Sequence, residues 1–279
     1  YFSKSRLKRR GRRYRNRFML HTVLRVRLAN RVNIMQLHKC LYFIITVTSL
    51  QLQAAEHLTS SETTQALLKG FIDSNSRSQA LKSRNRYRHP LATLTFFGLE
   101  REMTVIEIWP GGQGGWYRSI LEPFLQDEGS YIPVRSRSRF PLETTSTQAD
   151  MVLVFRAHGF MIYDHSPEVY FSALYRMVKP GGIFGIVDHR GNEAVPQDPE
   201  GRNGYVNQSH VVKLAEAAGF HLLAESEVNA NPKDRKDHPY GLYSLPPTLQ
   251  GSRNDPDTRQ KFLAIGESDR MTLKFYKPE

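Results

Sequence analysis

The chain has 279 residues, of which 39% are hydrophobic, 11% aromatic and 24% charged, a balance that excludes collagen-like, disulfide-scaffold and multi-span membrane classes. The formal net charge of +12 suggests a nucleic-acid binder, but twelve of the 39 Lys and Arg fall in residues 1–34, which hold no acid. The other 27 basic residues face 27 acidic ones, so the body is neutral and no specific nucleic-acid partner is expected.

No acid precedes Glu56 and the first residue is Tyr1. Residues 1–34 are therefore expected to be a basic arm outside the fold, from a fragment or an over-extended start. From Met35, MQLHKCLYFIITVTSLQLQAAE places His38 and Lys39 before an apolar run, Leu41 to Leu50, and then the small residues Ala54 and Ala55. That is the pattern of a secretory signal peptide over 35–55. The run is about half the roughly 20 residues a stable membrane span requires. Export, periplasmic or secreted, is the expectation. An organellar transit peptide competes with it, because the segment is Arg-rich and acid-free, and an upstream stretch without a role is the third interpretation. Cys40, the single cysteine, lies in this run. Disulfides, thiolate metal sites and cysteine nucleophiles are thereby excluded from the rest.

Residues 56–90 are expected to form an N-terminal helix and a linker. SSETTQALLKGFIDS (60–74) predicts a helix, and RSQALKSRNRYRHP, with five Arg and Lys and no hydrophobic period, predicts a solvated surface strip. Residues 91–279 form the main domain. Met103 to Ile108 predicts a buried strand ending in a glycine turn, and Trp116 to Leu125 a helix. Tyr131 to Val134 and Met151 to Phe155 predict strands. A helix begins at Ser166 and Pro167 and stops at Lys179-Pro180-Gly181-Gly182. A strand over Ile183 to Val187, a helix over Gln208 to Ala218 closed by Gly219, an extended segment over His221 to Glu227 and a strand over Met271 to Tyr276 complete the order. Such alternation predicts an α/β fold, a doubly wound and mostly parallel sheet covered on both faces.

The strand ending in Glu107 and turning through Gly111, Gly112, Gly114 and Gly115 has the form that brings backbone N–H groups against a cofactor. A glycine connection that only packs helix on strand is the plainer alternative. The spacing is not G-x-G-x-x-G, since Tyr117 stands at the third glycine. The order of parts is more specific. The strand, Glu107, the glycine loop, ADMVLVF, MVKPGG and IFGIVDH together resemble class I S-adenosylmethionine-dependent methyltransferases with a Rossmann-like fold. VIEIWPGGQGGWY, FRAHGF, KPGGIFGIVDHR, SEVNANPKDRKDHPYGLYSLPP and IGESDRMTLKFYKP narrow this to a resemblance to a family of exported bacterial methyltransferases, over about residues 90–278. The resemblance implies S-adenosylmethionine as cofactor. It implies that Glu107 holds the amino group and that Gly111, Gly112 and Gly114 cradle the methionine part; Arg156, just past the strand Met151 to Phe155, is a further candidate for cofactor binding by its position. The implied activity is methyl transfer to a small-molecule substrate; the alternative is a non-catalytic exported binding protein on the same scaffold. Oligomeric state is not indicated.

The pattern departs in two places. Trp109 stands where a first glycine is usual, and Arg135 follows the second strand where the resemblance implies a carboxylate for the ribose hydroxyls. Only 34 residues separate Gly115 from Asp150. A parallel crossover needs about a dozen or more, so a shortened second and third strand region is expected. Beyond the strand ends lie two candidate catalytic groups, His158 with Arg156, and Asp188 with His189 and Arg190. His189 is a candidate proton acceptor and Asp188 its orienting partner; a structural turn is the alternative. The polar segment from Asn229 to His238 is either a lid or a solvated loop. No metal site is expected, because the histidines lack a close pair.

Overall fold

A computed structural model describes residues 62–111, 115–135, 147–163 and 166–279. Gly112 and Gly114, and the basic arm, signal segment and Cys40, lie outside these residues. Six strands form one sheet: β1 (Thr104–Ile108), β2 (Ser130–Val134), β3 (Ala149–Phe155), β4 (Val178–His189), β5 (His221–Glu225) and β6 (Arg270–Tyr276), in the order β2-β1-β3-β4-β6-β5. β2, β1, β3 and β4 run parallel, and β6 is antiparallel to both β4 and β5. The sheet is thus mostly parallel, with one reversed strand, and the carboxyl ends of β1, β3 and β4 share one edge. Pro133, which has no N–H to donate, sits in the edge strand β2, where a missing donor is tolerated.

The strands read as continuous apolar runs because both faces are covered. Alternate residues of one strand enter different cores. Ile106 and Ile108, Val152 and Val154, Phe184 and Ile186 pack under α7 (Pro167–Met177) and α8 (Gln208–Ala217) through Phe171, Leu174 and Val211. Val105, Leu153 and Val187 face the opposite layer, where α1 (62–73), α4 (Pro90–Phe97) and α5 (Arg118–Leu125) contribute Leu68, Phe97 and Phe124. By the same alternation Glu107 falls on this second face and Asp188 on the first.

The predicted linker is structured. α2 (Gln79–Lys82) and α3 (Asn85–Arg88) occupy it, and Arg88 is 2% exposed. α3 stops at His89 (φ 37°) because the residue before a proline disfavours the helical region, and Pro90 then opens α4 at its first position. Lys179 to Gly182 lies inside β4 rather than before it. Val178 pairs with Ala149 and Ile183 with Met151, so the tetrapeptide bulges between the two pairings, with Gly181 at φ 73°. α6 (His158–Tyr163) and α9 (Pro256–Ile265) complete the helices described. Among the described residues no helix is long and apolar enough to cross a membrane.

Candidate functional site

A cavity of about 330 Å³ opens at the shared carboxyl edge of β1, β3 and β4. Two positions there hold backbones that side-chain-bearing residues seldom adopt: Trp109 after β1 at φ 50° and Arg156 after β3 at φ 59°. Non-glycine residues in the left-handed region cost of order 1–3 kcal/mol and persist where surrounding structure holds them, commonly at functional sites. Both line the cavity. Neither signal is visible in sequence, since either residue type is unremarkable in a loop.

On the β1 side the cavity meets Glu107 and the glycine turn. Glu107 is 2% exposed and accepts a 2.6 Å hydrogen bond from the Tyr131 hydroxyl across the β1–β2 pair. Burial raises its pKa to about 7, against the opposing pull of the Tyr131 bond. Gly111, at φ 89°, borders the cavity. A Cβ on Gly115 would lie 2.0 Å from the Pro110 carbonyl oxygen, so the turn closes tightly on itself and needs glycine there. Tyr117 stacks flat on Phe155 at 3.5 Å between ring centres and makes an aromatic wall.

The histidines divide. His189 lines the cavity, and its Nδ1 lies 2.5 Å from the Ser268 hydroxyl. Burial, then the charges of Arg270 and Arg156, push its pKa well below the usual imidazole value. Asp188 does not orient an imidazole. Its two carboxylate oxygens accept from backbone amides, His158 N at 2.7 Å and His189 N at 2.8 Å. Those bonds tie the end of β4 to the segment after β3, because alternation turns Asp188 away from the face that carries the His189 ring. His158 leaves the site altogether. It is fully buried, edge-on to Phe171 and His210, with neither ring nitrogen hydrogen-bonded. Burial lowers its pKa to about 3, so the ring is neutral and serves as core packing.

Arg190 is held outside the cavity lining by paired bonds to Glu227 and Asp269. The segment from Asn229 to His238 is a loop that exposes Lys233, Arg235 and Asp237 but is anchored in the interior at its other polar positions. Asp234 is buried and accepts from Tyr205, His238 and the Asp269 amide, while Asn229 donates to Thr93 and Thr272. The cavity wall comes instead from the residues that follow, Leu242, Tyr243 and Pro246 to Thr248.

An unforeseen group of arginines closes the β4–β6 side. Glu267 is 2% exposed and bonds Arg84 Nε at 2.5 Å, Arg88 Nε at 3.1 Å and Arg270 Nη2. Although burial opposes it, Arg270, Arg88 and Arg84 hold the Glu267 pKa down to about 2. Arg84, Arg156 and Arg270 all line the cavity. The Arg88 guanidinium lies over the Trp116 ring at 4.8 Å.

No protein-family model matches this chain, and no curated protein matches it. Solved structures do. A SAM-dependent methyltransferase from Aquifex aeolicus is 18% identical, with 59% of this chain and 93% of that one covered, at a TM-score of 0.42. The [4+2]-cyclase SpnF is 14% identical over 74% and 86%, at 0.47. Phosphoethanolamine N-methyltransferase 2 of Haemonchus contortus, in complex with S-adenosyl-L-methionine, is 13% identical over 76% and 60%, at 0.43. Likeness at this level does not transfer an activity, and one scaffold serves many chemistries.

Proposed function

We propose that the chain is an S-adenosylmethionine-dependent methyltransferase acting on a small molecule. The observation that carries this is Glu107. A carboxylate that is buried, on the cavity wall and beside a closed glycine turn has the environment to receive a ligand's ammonium group. The fit to the cofactor is one-sided. Glu107 and Gly111 suit its amino-acid end, and Tyr117 on Phe155 supplies an apolar flank. At the ribose end the residue after β2 is the exposed Arg135, where a carboxylate would be wanted. The bound cofactor would supply an activated methyl group; the chain's own residues orient the acceptor, exclude water and receive the acceptor's proton. His189, on the cavity wall with Nδ1 engaged by Ser268, is the proton acceptor in this proposal. Asp188 fixes the backbone on which His189 sits.

The second interpretation is a binding protein on the same scaffold, favoured by Arg135 and by the cationic wall, which repels a sulfonium. Calorimetric titration with S-adenosylmethionine and S-adenosylhomocysteine separates the two. Binding of both is expected, and absence of heat with either at millimolar concentration would leave only the binding protein. The signal-peptide pattern suggests export in either case.

A further inference from the structure

Three guanidiniums from remote parts of the chain line the cavity, those of Arg84, Arg156 and Arg270, and Arg88 shares a glutamate with Arg84 and Arg270. Arg84 and Arg88 come from the helices before α4, Arg156 from the turn after β3, and Arg270 from the start of β6. Among the described residues Glu267 is the one carboxylate that bonds them, and it bonds three, while Arg270 also donates to the Tyr87 carbonyl. Arg156 is not among the three. Its Nε is buried without a hydrogen-bond partner, as are Arg84 Nη2 and Arg270 Nε. Of the other acids on the wall, Glu107 accepts from Tyr131 and Asp188 from backbone amides, and no arginine bond to either is found among the described residues. A buried donor without a partner costs free energy, more so on a charged group. An arginine held at φ 59° whose buried Nε has no acceptor among the described residues is therefore arranged for something that arrives.

We infer that Arg156, with Arg84 and Arg270, binds a carboxylate or phosphate group of the methyl acceptor, so that the substrate is a small organic acid or phosphate ester. This rests on the methyltransferase proposal for the word acceptor only; the anion site stands on the arginines. Guanidinium forks match planar carboxylates and phosphates with paired N–H bonds. The position also suits the chemistry. Arg156 follows β3 and Arg270 opens β6, and the charges of both reach His189, whose Nδ1 lies against Ser268. A bound anion would offset the charge of Arg270 and Arg156 that depresses His189, and so return the imidazole towards a useful base.

The test uses the full chain in thermal unfolding and titration calorimetry. Inorganic phosphate and succinate are compared with chloride at equal ionic strength, with and without saturating S-adenosylhomocysteine. The melting temperature is expected to rise with phosphate or succinate and not with chloride, by mass action on the folded state. Arg156→Gln should weaken that anion binding by about tenfold or more, as expected when a charged hydrogen bond is lost. It should unfold no earlier than wild type in chloride, because Arg156 has no acceptor to lose among the described residues. Arg84→Gln should weaken the same anions as well, from a lower melting temperature in chloride because it takes a partner from Glu267, so the rise with anion is read against that baseline. An unchanged anion response in both variants, or none in wild type, overturns the proposal. A tenfold loss of S-adenosylhomocysteine affinity in Arg156→Gln, without loss for phosphate or succinate, also overturns it, since the arginines would then hold the cofactor's own carboxylate. Phosphate binding without any adenosyl binding would sink the methyltransferase proposal and leave the anion site intact.

Discussion

Burial is the first cause of the shifts at Glu107 and His158, yet it gives them opposite pH signatures. The folded state raises Glu107 from 4.5 to about 7, so it holds a proton more tightly than the unfolded chain. Stability is then full below pH 4.5 and is lost as pH rises to 7, by about 3 kcal/mol at most. Glu107→Gln should therefore be more stable than wild type at pH 8 and nearly equal at pH 4.5, read from urea midpoints at both values. His158 falls from 6.5 to about 3, so its contribution is present above pH 6.5 and is lost as pH falls towards 3. His158→Leu should gain about 2 kcal/mol on wild type between pH 8 and pH 5, with ligand binding unchanged. A His158→Leu variant that loses binding at constant stability would restore His158 to the site. The sequence reveals both residues and their strand ends, but not which way each side chain turns. For His158 that direction is set by the φ of 59° at Arg156 and by Asp188 taking the His158 amide.

At the scale of elements, the sheet meets its helices through glycine. A Cβ on Gly185 would lie 2.7 Å from Leu153 Cδ2 and 2.8 Å from Phe97 Cδ1, so α4 rests directly on β4. Gly185→Ala should cost about 1–3 kcal/mol by overpacking, seen as a lower urea midpoint. A neutral result would mean that α4 docks more loosely than the contact distances require. Strands buried on both faces were legible, because TVIEI, ADMVLVF and IFGIV are apolar without alternation. The segment 75–90 was not. Charge patterning treats Arg as solvated, and nothing local in RNRYRHP announces that Glu267, 179 residues beyond Arg88, will neutralise it in the interior. Lys179 to Gly182 has the residues of a helix stop, and α7 does end just before it at Met177, but β4 pairing begins at Val178 and steps over it.

Across the whole molecule, Glu267 ties the N-terminal helices to the last strand and shapes the cavity between them. Replacing one partner of a buried ion network typically costs 3–5 kcal/mol, since the remaining charges lose their compensation. Glu267→Gln leaves Arg84, Arg88 and Arg270 facing one another and should lower stability by about that amount. Double variants that also remove Arg88 should recover part of the loss. If Glu267→Gln unfolds like wild type, the network is not what joins the two ends of the domain. The direct test of the proposed function is a calorimetric titration of wild type and Glu107→Gln with S-adenosylhomocysteine at pH 8. The expected result is binding to wild type and an affinity at least about tenfold lower in the variant, the loss of one charged hydrogen bond, despite the variant's greater stability. Equal affinity in the two proteins, or no binding to wild type, would contradict the assignment of this cavity to an adenosyl cofactor.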